Sequence, residues 1–203
     1  MKNTVKLLMM AGAAACIASG CATKQATYVE AGGPRTIATV GQINIQDFAN
    51  AADTMVNSMI ETVINTGRLK SSSPNEPAIL AISRIENRTG TQFDTDLLIK
   101  KIRVALSKTT KVATTTIVGL SGPEDPLAKT QADYQDHLKN KNSAGRFDYT
   151  LSGKILDLYT RLGNQRQMAY VFQLTLTDAK TGIAVWEDEK TIVKQGTKAS
   201  VGF

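Results

Sequence analysis

One segment of the chain alternates strictly between large apolar residues and smaller or polar ones. Met168, Tyr170, Phe172, Leu174 and Leu176 occupy every second position, and Gln173 and Thr175 lie among the residues between them. Since successive side chains of a strand point to opposite faces, this period of two predicts a strand with one buried face. Such a strand is not stable alone, so this part of the chain has to form a sheet packed against a core.

Two further strands are predicted beside this one, over residues 147–159 and 183–193. The intervening stretches, Leu162-Gly163-Asn164 and Asp178-Ala179-Lys180-Thr181-Gly182, are short and have the composition of hairpin turns. With the alternating strand at residues 167–177, they predict a three-strand meander in the C-terminal third of the chain.

The earlier part of the chain has mainly helical patterns. Residues 46–66 and 95–108 place apolar side chains on one helical face. Asn44 or Gln46-Asp47 can cap the start of the first of these helices, and Gly67 favours its end. The other expected elements are a covered strand at residues 78–82, a strand at 112–118 and a polar helix at 123–141. Helices early and strands late indicate an α+β fold, a predominantly antiparallel β-sheet flanked by helices.

The amino terminus has the pattern of a targeting segment. Lys2 and Lys6 precede an apolar run at residues 7–17, which is shorter than the roughly 20 residues that span a bilayer. The run leads into Ala18-Ser19-Gly20-Cys21, which resembles the lipobox of bacterial lipoproteins. The resemblance implies a signal peptide at residues 1–20 and a diacylglycerol and an N-acyl chain on Cys21. Two alternatives remain: Cys16 as the modified residue, or an ordinary cleaved signal with an incidental cysteine.

Both cysteines of the chain lie within its first 21 residues. After cleavage the protein would therefore have no thiol for a disulfide, a thiolate metal site or a nucleophile. Ala22, and not an aspartate, follows the lipobox cysteine. By resemblance to the Gram-negative sorting pattern, in which aspartate at this position keeps a lipoprotein from reaching the outer membrane, Ala22 favours the outer membrane. Residues 21–43 lack periodicity and are interpreted as a flexible tether, which fully extended would reach about 75 Å. Residues 44–203 are expected to form a single globular domain.

The charge of the chain is mild. The formal net charge is +6, and loss of Lys2 and Lys6 with the signal peptide would lower it to +4. Acidic and basic residues are interspersed, which favours solubility over binding to nucleic acid. We therefore expect no nucleic-acid partner.

Residues with catalytic chemistry are few. His137 is the one histidine of the chain, and without thiols it cannot form a usual zinc site. It could be a general base or, more simply, an exposed helix residue. Lys180-Thr181-Gly182 matches one motif of β-lactamases, but no serine has a lysine three positions later, so the tripeptide is interpreted as a turn. We expect no catalytic residues, no metal and no cofactor besides the acyl groups.

Three stretches together resemble a known family. They are Ile79-Leu80-Ala81-Ile82 leading to Glu86-Asn87-Arg88-Thr89, the segment Ile102–Leu106, and Asp148–Gly153 followed by Lys180–Trp186. With the lipobox, they resemble the LpoB-type activators of penicillin-binding proteins, over residues 45–195. The resemblance implies an antiparallel sheet flanked by helices, like the amino-terminal domain of TolB. It also implies an outer-membrane lipoprotein that faces the periplasm and stimulates a bifunctional peptidoglycan synthase. Related domains occur in the curli secretion lipoprotein CsgG.

The leading functional hypothesis is a monomeric, lipid-tethered module without catalytic activity that binds a penicillin-binding protein. The predicted partner-binding residues are Asn87, Arg88, Thr89, Asp148 and Tyr149, because arginine and tyrosine are enriched where interfaces gain most of their energy. Arg88 can equally be a solvated turn residue. Two other classes remain open: a structural subunit of an outer-membrane secretion or surface-assembly complex, and an enzyme that acts on cell-wall glycan.

Overall fold

The computed structural model describes residues 28–30, 33, 37–117, 123–138 and 147–197. The predicted signal peptide, Cys21 and the first part of the predicted tether lie outside these residues. The chain divides into two units, residues 1–30 and 31–203. Of the first unit only the exposed residues 28–30 are described, and all elements below belong to the second.

Three α-helices are present among the described residues: α1 (Ile45–Met59), α2 (Asp96–Ser107) and α3 (Pro126–Leu138). None of the helices in the described part of the chain is both long enough and apolar enough to span a bilayer. The start of α1 is a reciprocal capping box: Asp47 N donates to Asn44 Oδ1 at 3.3 Å, and Asn44 N donates to Asp47 Oδ2 at 2.8 Å. A π-helical turn, Ile60–Ile64, extends the helix, and Gly67 ends it with φ +68°.

Five strands form one sheet in the order β2-β1-β3-β4-β5. They are β1 (Ala78–Arg88), β2 (Val112–Thr114), β3 (Tyr149–Leu162), β4 (Gln165–Asp178) and β5 (Ala184–Thr197). β1 pairs in parallel with β2 and β3, whereas β3, β4 and β5 form the predicted antiparallel meander. The α+β fold class is confirmed.

The core lies between one face of the sheet and the helices α1 and α2. The alternating residues of β4 point inward as predicted, since Tyr170, Phe172, Leu174 and Leu176 are buried. The ring of Phe48 from α1 packs edge-on against Phe172, with 6.2 Å between centroids. No residue of α3 belongs to the core formed by the described residues, which agrees with the polar character predicted for this helix.

The strands of the meander are longer than the sequence patterns indicated, and β2 is shorter. β3 continues to Leu162 and β4 begins at Gln165, so only Gly163 and Asn164 form the turn. Gly163 has φ +56° at the first central position, as a two-residue hairpin turn requires. The β4–β5 connection is also a turn: Asp178 Oδ1 accepts from Lys180 N at 2.8 Å, and Gly182 has φ +71°.

Residues 39–47 pack against the end of β5. The side chain of Lys194 is nearly buried and forms an ion pair with Asp47 at the start of α1. Its ammonium group also donates to the carbonyl oxygens of Thr39, at 3.2 Å, and Gln42, at 2.8 Å. The hydroxyl of Tyr170 donates to the carbonyl oxygen of Val40 at 3.4 Å. Residues 39–43, which the sequence analysis placed in the tether, therefore contact the sheet.

Candidate partner-binding surface

The turn after β1 is held rigidly by its own side chains. Asn87 Oδ1 accepts hydrogen bonds from Thr89 N at 3.0 Å and from Thr89 Oγ1 at 2.8 Å, and Asn87 Nδ2 donates to the carbonyl oxygen of Thr91 at 2.8 Å. Gly90 N donates to the carboxylate of Asp157 on β3 at 2.9 Å. Asn87 and Thr89 thus determine the shape of the turn, and Asp157 fixes it to the sheet.

Arg88 is presented to solvent by this turn. Its side chain is 59% exposed and forms an ion pair with Glu86, with 2.7 Å between Nη2 and Oε2. Arg88 is paired in register with Leu156 of β3, so the two residues lie on the same face of the sheet. This face is opposite to the one covered by α1 and α2, because Ile155 and Phe172, the neighbours in the alternation, are buried in the core.

An apolar band crosses this outer face beside Arg88. One row of paired residues joins Leu156 to Val171, and the next joins Leu158, Ala169 and Val193. Leu158 is 64% exposed and Val193 is 54% exposed. Sequence reasoning missed the band. The band could have been found from the residues that alternate with the buried ones on all three strands of the meander, because these residues share the outer face.

A shallow polar groove adjoins the apolar band along the same strands. Its volume is about 670 Å³, and it is lined by Lys154, Gln173, Glu187 and Glu189, among others. Gln173 Nε2 donates to Glu189 Oε2 at 2.6 Å, and Thr175 Oγ1 donates to Glu187 at 3.1 Å. The outer face therefore combines an apolar strip with charged and hydrogen-bonding groups at its margin, the composition expected of a protein-binding surface.

Asp148 is buried just before β3 and fixes a loop to β1. Its carboxylate accepts from Ile79 N at 2.9 Å, from Ser72 N at 2.9 Å and from the hydroxyl of Ser72. Burial alone would raise the pKa of Asp148. The hydrogen bonds from Ser72 and Ile79 and the charge of Lys180 outweigh burial and lower the pKa. These internal contacts explain the burial of the Asp148 carboxylate without any contact to a partner protein. The predicted role of Asp148 in binding stays a prediction.

Tyr149, the first residue of β3, is also buried, and its hydroxyl accepts a hydrogen bond from Lys70 N at 2.9 Å. The structure therefore divides the predicted partner-binding residues into two groups. Asn87, Arg88 and Thr89 form one turn at the surface. Asp148 and Tyr149 lie near the other end of β1, beside Ile79 and Leu80.

The described residues contain no group of three or more His, Cys, Asp or Glu side chains that could hold a metal ion. His137 is exposed on α3. Arg103 on α2 is buried and forms an ion pair with Glu124. Burial lowers the pKa of Arg103, and the charge of Asp96 opposes that effect. Arg103 Nε has no hydrogen-bond partner among the described residues.

Residues 47–192 match the sequence model of the family described as peptidoglycan-synthase activator LpoB. This range covers most of the chain and contains all or part of each helix and strand described above. The chain belongs to the LpoB family. No curated protein sequence is significantly similar to it.

Several solved structures resemble this LpoB-family chain. The LpoB C-terminal domain from Salmonella enterica is 16% identical, with a TM-score of 0.42, over 72% of this chain and 98% of that domain. Lipoprotein GNA1162 from Neisseria meningitidis is 13% identical, with a TM-score of 0.40, over 62% of this chain and 88% of that chain. PelC from Paraburkholderia phytofirmans, solved as a dodecamer, is 16% identical, with a TM-score of 0.31, over 65% and 82% of the two chains.

Proposed function

We propose that this protein is an outer-membrane lipoprotein, acylated on Cys21, that binds and activates a bifunctional penicillin-binding protein from the periplasmic side. The observation that carries the proposal is the family match over residues 47–192. In this proposal the domain performs no catalysis itself. It stimulates the synthase because it binds the active conformation more tightly than the inactive one.

The surface proposed to contact the synthase is the apolar band together with Arg88. The hydrogen bonds of Asn87, Thr89 and Gly90 hold the turn in one conformation, so little conformational entropy is lost when a partner binds Arg88. The exposed leucine and valine side chains next to it supply the apolar area that an interface core needs.

The test is stimulation of purified synthase by the full-length protein, measured as glycan polymerisation, together with the affinity of the two proteins. Arg88→Ala and Leu158→Asn should each weaken binding about tenfold, the loss typical of a central interface residue. Arg84→Ala and Leu127→Asn change an exposed arginine of the same strand and an exposed leucine of α3, and they should leave affinity unchanged. Equal effects of the test and control variants would reject this surface.

Two further measurements test the rest of the proposal. Cys21→Ser should release the protein from outer-membrane fractions, and globomycin should cause the precursor to accumulate. Turnover of purified peptidoglycan by the protein alone would favour an enzyme instead. A stable large oligomer on a sizing column, without any effect on the synthase, would favour a subunit of a secretion or assembly complex.

A further inference from the structure

The β3–β4 hairpin extends beyond the end of β1 to an exposed tip, with β5 paired alongside β4 over the same length. Pairing of β1 with β3 stops at Leu156, whereas pairing of β3 with β4 continues to Leu162. At the tip, Leu162 is 79% exposed and Tyr159 is 56% exposed. We call Tyr159, Arg161, Leu162 and Arg166 the basic tip.

Two arginines face each other in the basic tip. Arg161 and Arg166 are directly opposite in the β3–β4 register. Like charges in this position destabilise a strand pair, and an anion bound between them would relieve the repulsion. The two strands themselves contain no aspartate or glutamate from Leu158 to Thr177. Arg161 Nε donates to the carbonyl oxygen of Gly163 at 3.1 Å, which keeps its guanidinium at the turn.

The chain enters the domain beside this tip. Gly196, the residue of β5 paired with Arg166, lies so close to Val40 that a Cβ on Gly196 would be 2.7 Å from Val40 Cγ2. Only 15 residues lie between Cys21 and Ile37, the start of the continuously described chain. Fully extended, they span about 55 Å at most. The end of the domain closest along the chain to a lipid anchor is therefore the end that carries the basic tip.

We propose that the basic tip docks on a lipid surface with anionic headgroups. Arg161 and Arg166 would bind headgroup phosphates, Leu162 would enter the boundary of the acyl chains, and Tyr159 would lie at the interface with its ring toward the lipid. This proposal takes only the lipid anchor on Cys21 from the proposed function, and it does not involve the synthase.

The experiment compares the two hairpin turns at opposite ends of the meander. Asn164 lies in the tip turn, and Thr181 lies in the exposed β4–β5 turn. Full-length acylated protein carrying Asn164→Cys or Thr181→Cys is labelled with an environment-sensitive fluorophore, which is specific because the mature chain has no other free thiol. The protein is reconstituted in vesicles of phosphatidylcholine and phosphatidylglycerol that contain a nitroxide-labelled phospholipid. Quenching is expected at position 164 and not at position 181.

Variants of the tip identify the groups responsible. Arg161→Gln and Arg166→Gln should each lower the docking equilibrium constant about fivefold, and vesicles of phosphatidylcholine alone should weaken docking in the same way. Leu162→Asn should lower it about tenfold because the buried apolar side chain is lost. Arg68→Gln and Leu127→Asn, at exposed positions outside the tip, are the matched controls and should change nothing.

Equal quenching at both turns, or quenching at position 164 that is insensitive to the tip variants, would overturn the proposal. Binding of the tip to purified peptidoglycan in preference to vesicles would also overturn it. Arg88→Ala and Leu158→Asn should retain quenching while they bind the synthase about tenfold more weakly. The failure of one proposal can therefore be distinguished from the failure of the other.

Discussion

The ammonium group of Lys194 on β5 forms an ion pair with the carboxylate of Asp47 at the start of α1, and both side chains are almost completely buried. The pair joins the last strand of the sheet to the first helix. Because the same ammonium group also holds the carbonyl oxygens of Thr39 and Gln42, it organises the segment through which the chain enters the domain.

Loss of Lys194 should therefore destabilise the protein strongly. Lys194→Met leaves the carboxylate of Asp47 buried without its partner, which costs about 3 kcal/mol in the free energy of unfolding. In the double variant Lys194→Met with Asp47→Asn, the loss in free energy of unfolding should be smaller than the sum of the losses in the two single variants. The reason is that the amide oxygen of Asn at position 47 can still accept from Asn44 N. Urea denaturation of the four proteins measures this coupling, and strict additivity would contradict the prediction.

The contribution of Asp148 to stability should depend on pH. Because its pKa is lowered in the folded protein, the carboxylate stabilises the fold above the ordinary aspartate pKa of about 3.9. This contribution is lost as the pH falls through the lowered value. Asp148→Asn should cost about 2 kcal/mol at neutral pH, because charge-assisted hydrogen bonds become neutral ones.

The free energies of unfolding of Asp148→Asn and the parent should converge as the solution is made acidic. Asp53→Asn, a change at an exposed position of α1, serves as the control and should behave like the parent throughout. A difference between parent and Asp148→Asn that is constant from neutral to acidic pH would contradict the prediction.

Gly153 should not tolerate any side chain. A Cβ at this position of β3 would collide with the carbonyl oxygen of Gln173 and lie 2.7 Å from Leu174 Cδ2 on β4. Gly153→Ala should therefore lower the free energy of unfolding by about 1–3 kcal/mol through overpacking. Gly41→Ala is the matched control, because a Cβ there meets no atom within 4 Å. Similar thermal midpoints for the two variants would disprove the close approach of β3 and β4.

The contact between Gly196 and Val40 can be tested by compensation. Gly196→Ala should displace the segment that contains Val40 and make it more susceptible to protease, because the new methyl group overlaps the valine side chain. Adding Val40→Ala should relieve the overlap and restore part of the stability lost in Gly196→Ala. Fragment masses from limited proteolysis report the position of cleavage. Cleavage that Val40→Ala does not reduce in the Gly196→Ala background would refute the contact.

The core of the meander could be predicted from the sequence because burial leaves a periodic pattern. Tyr170, Phe172, Leu174 and Leu176 are buried as their alternation predicted. The last residues of the hairpin left no such pattern. From Leu162 to Gln165 the side chains are exposed, and strand pairing there depends on a two-residue turn rather than on burial. The strands therefore ended too early in the prediction.

The candidate site could be predicted only where local sequence determines it. Asn87, Arg88 and Thr89 form a turn through hydrogen bonds between neighbours, so a short motif contains the information. The environment of Asp148 depends on Ser72, 76 residues away, and that of Tyr149 depends on Lys70, 79 residues away. No local pattern indicates whether such polar residues face solvent or the core. The apolar band likewise exists only once three strands are in register.

The length of the β3–β4 hairpin determines how far the apolar band would lie from a membrane that is bound by the basic tip. β3 has 14 residues and is therefore roughly 45 Å long, at about 3.3 Å per residue. Leu156, which is in register with Arg88, is six residues from Leu162, or about 20 Å along the strand. A domain docked through its tip would hold the Leu156 row of the apolar band at about that distance from the headgroups, and the Leu158 row closer to them. A synthase domain would then have to approach the sheet from the side, and shortening the segment between Cys21 and Ile37 would not alter the height at which the two proteins meet.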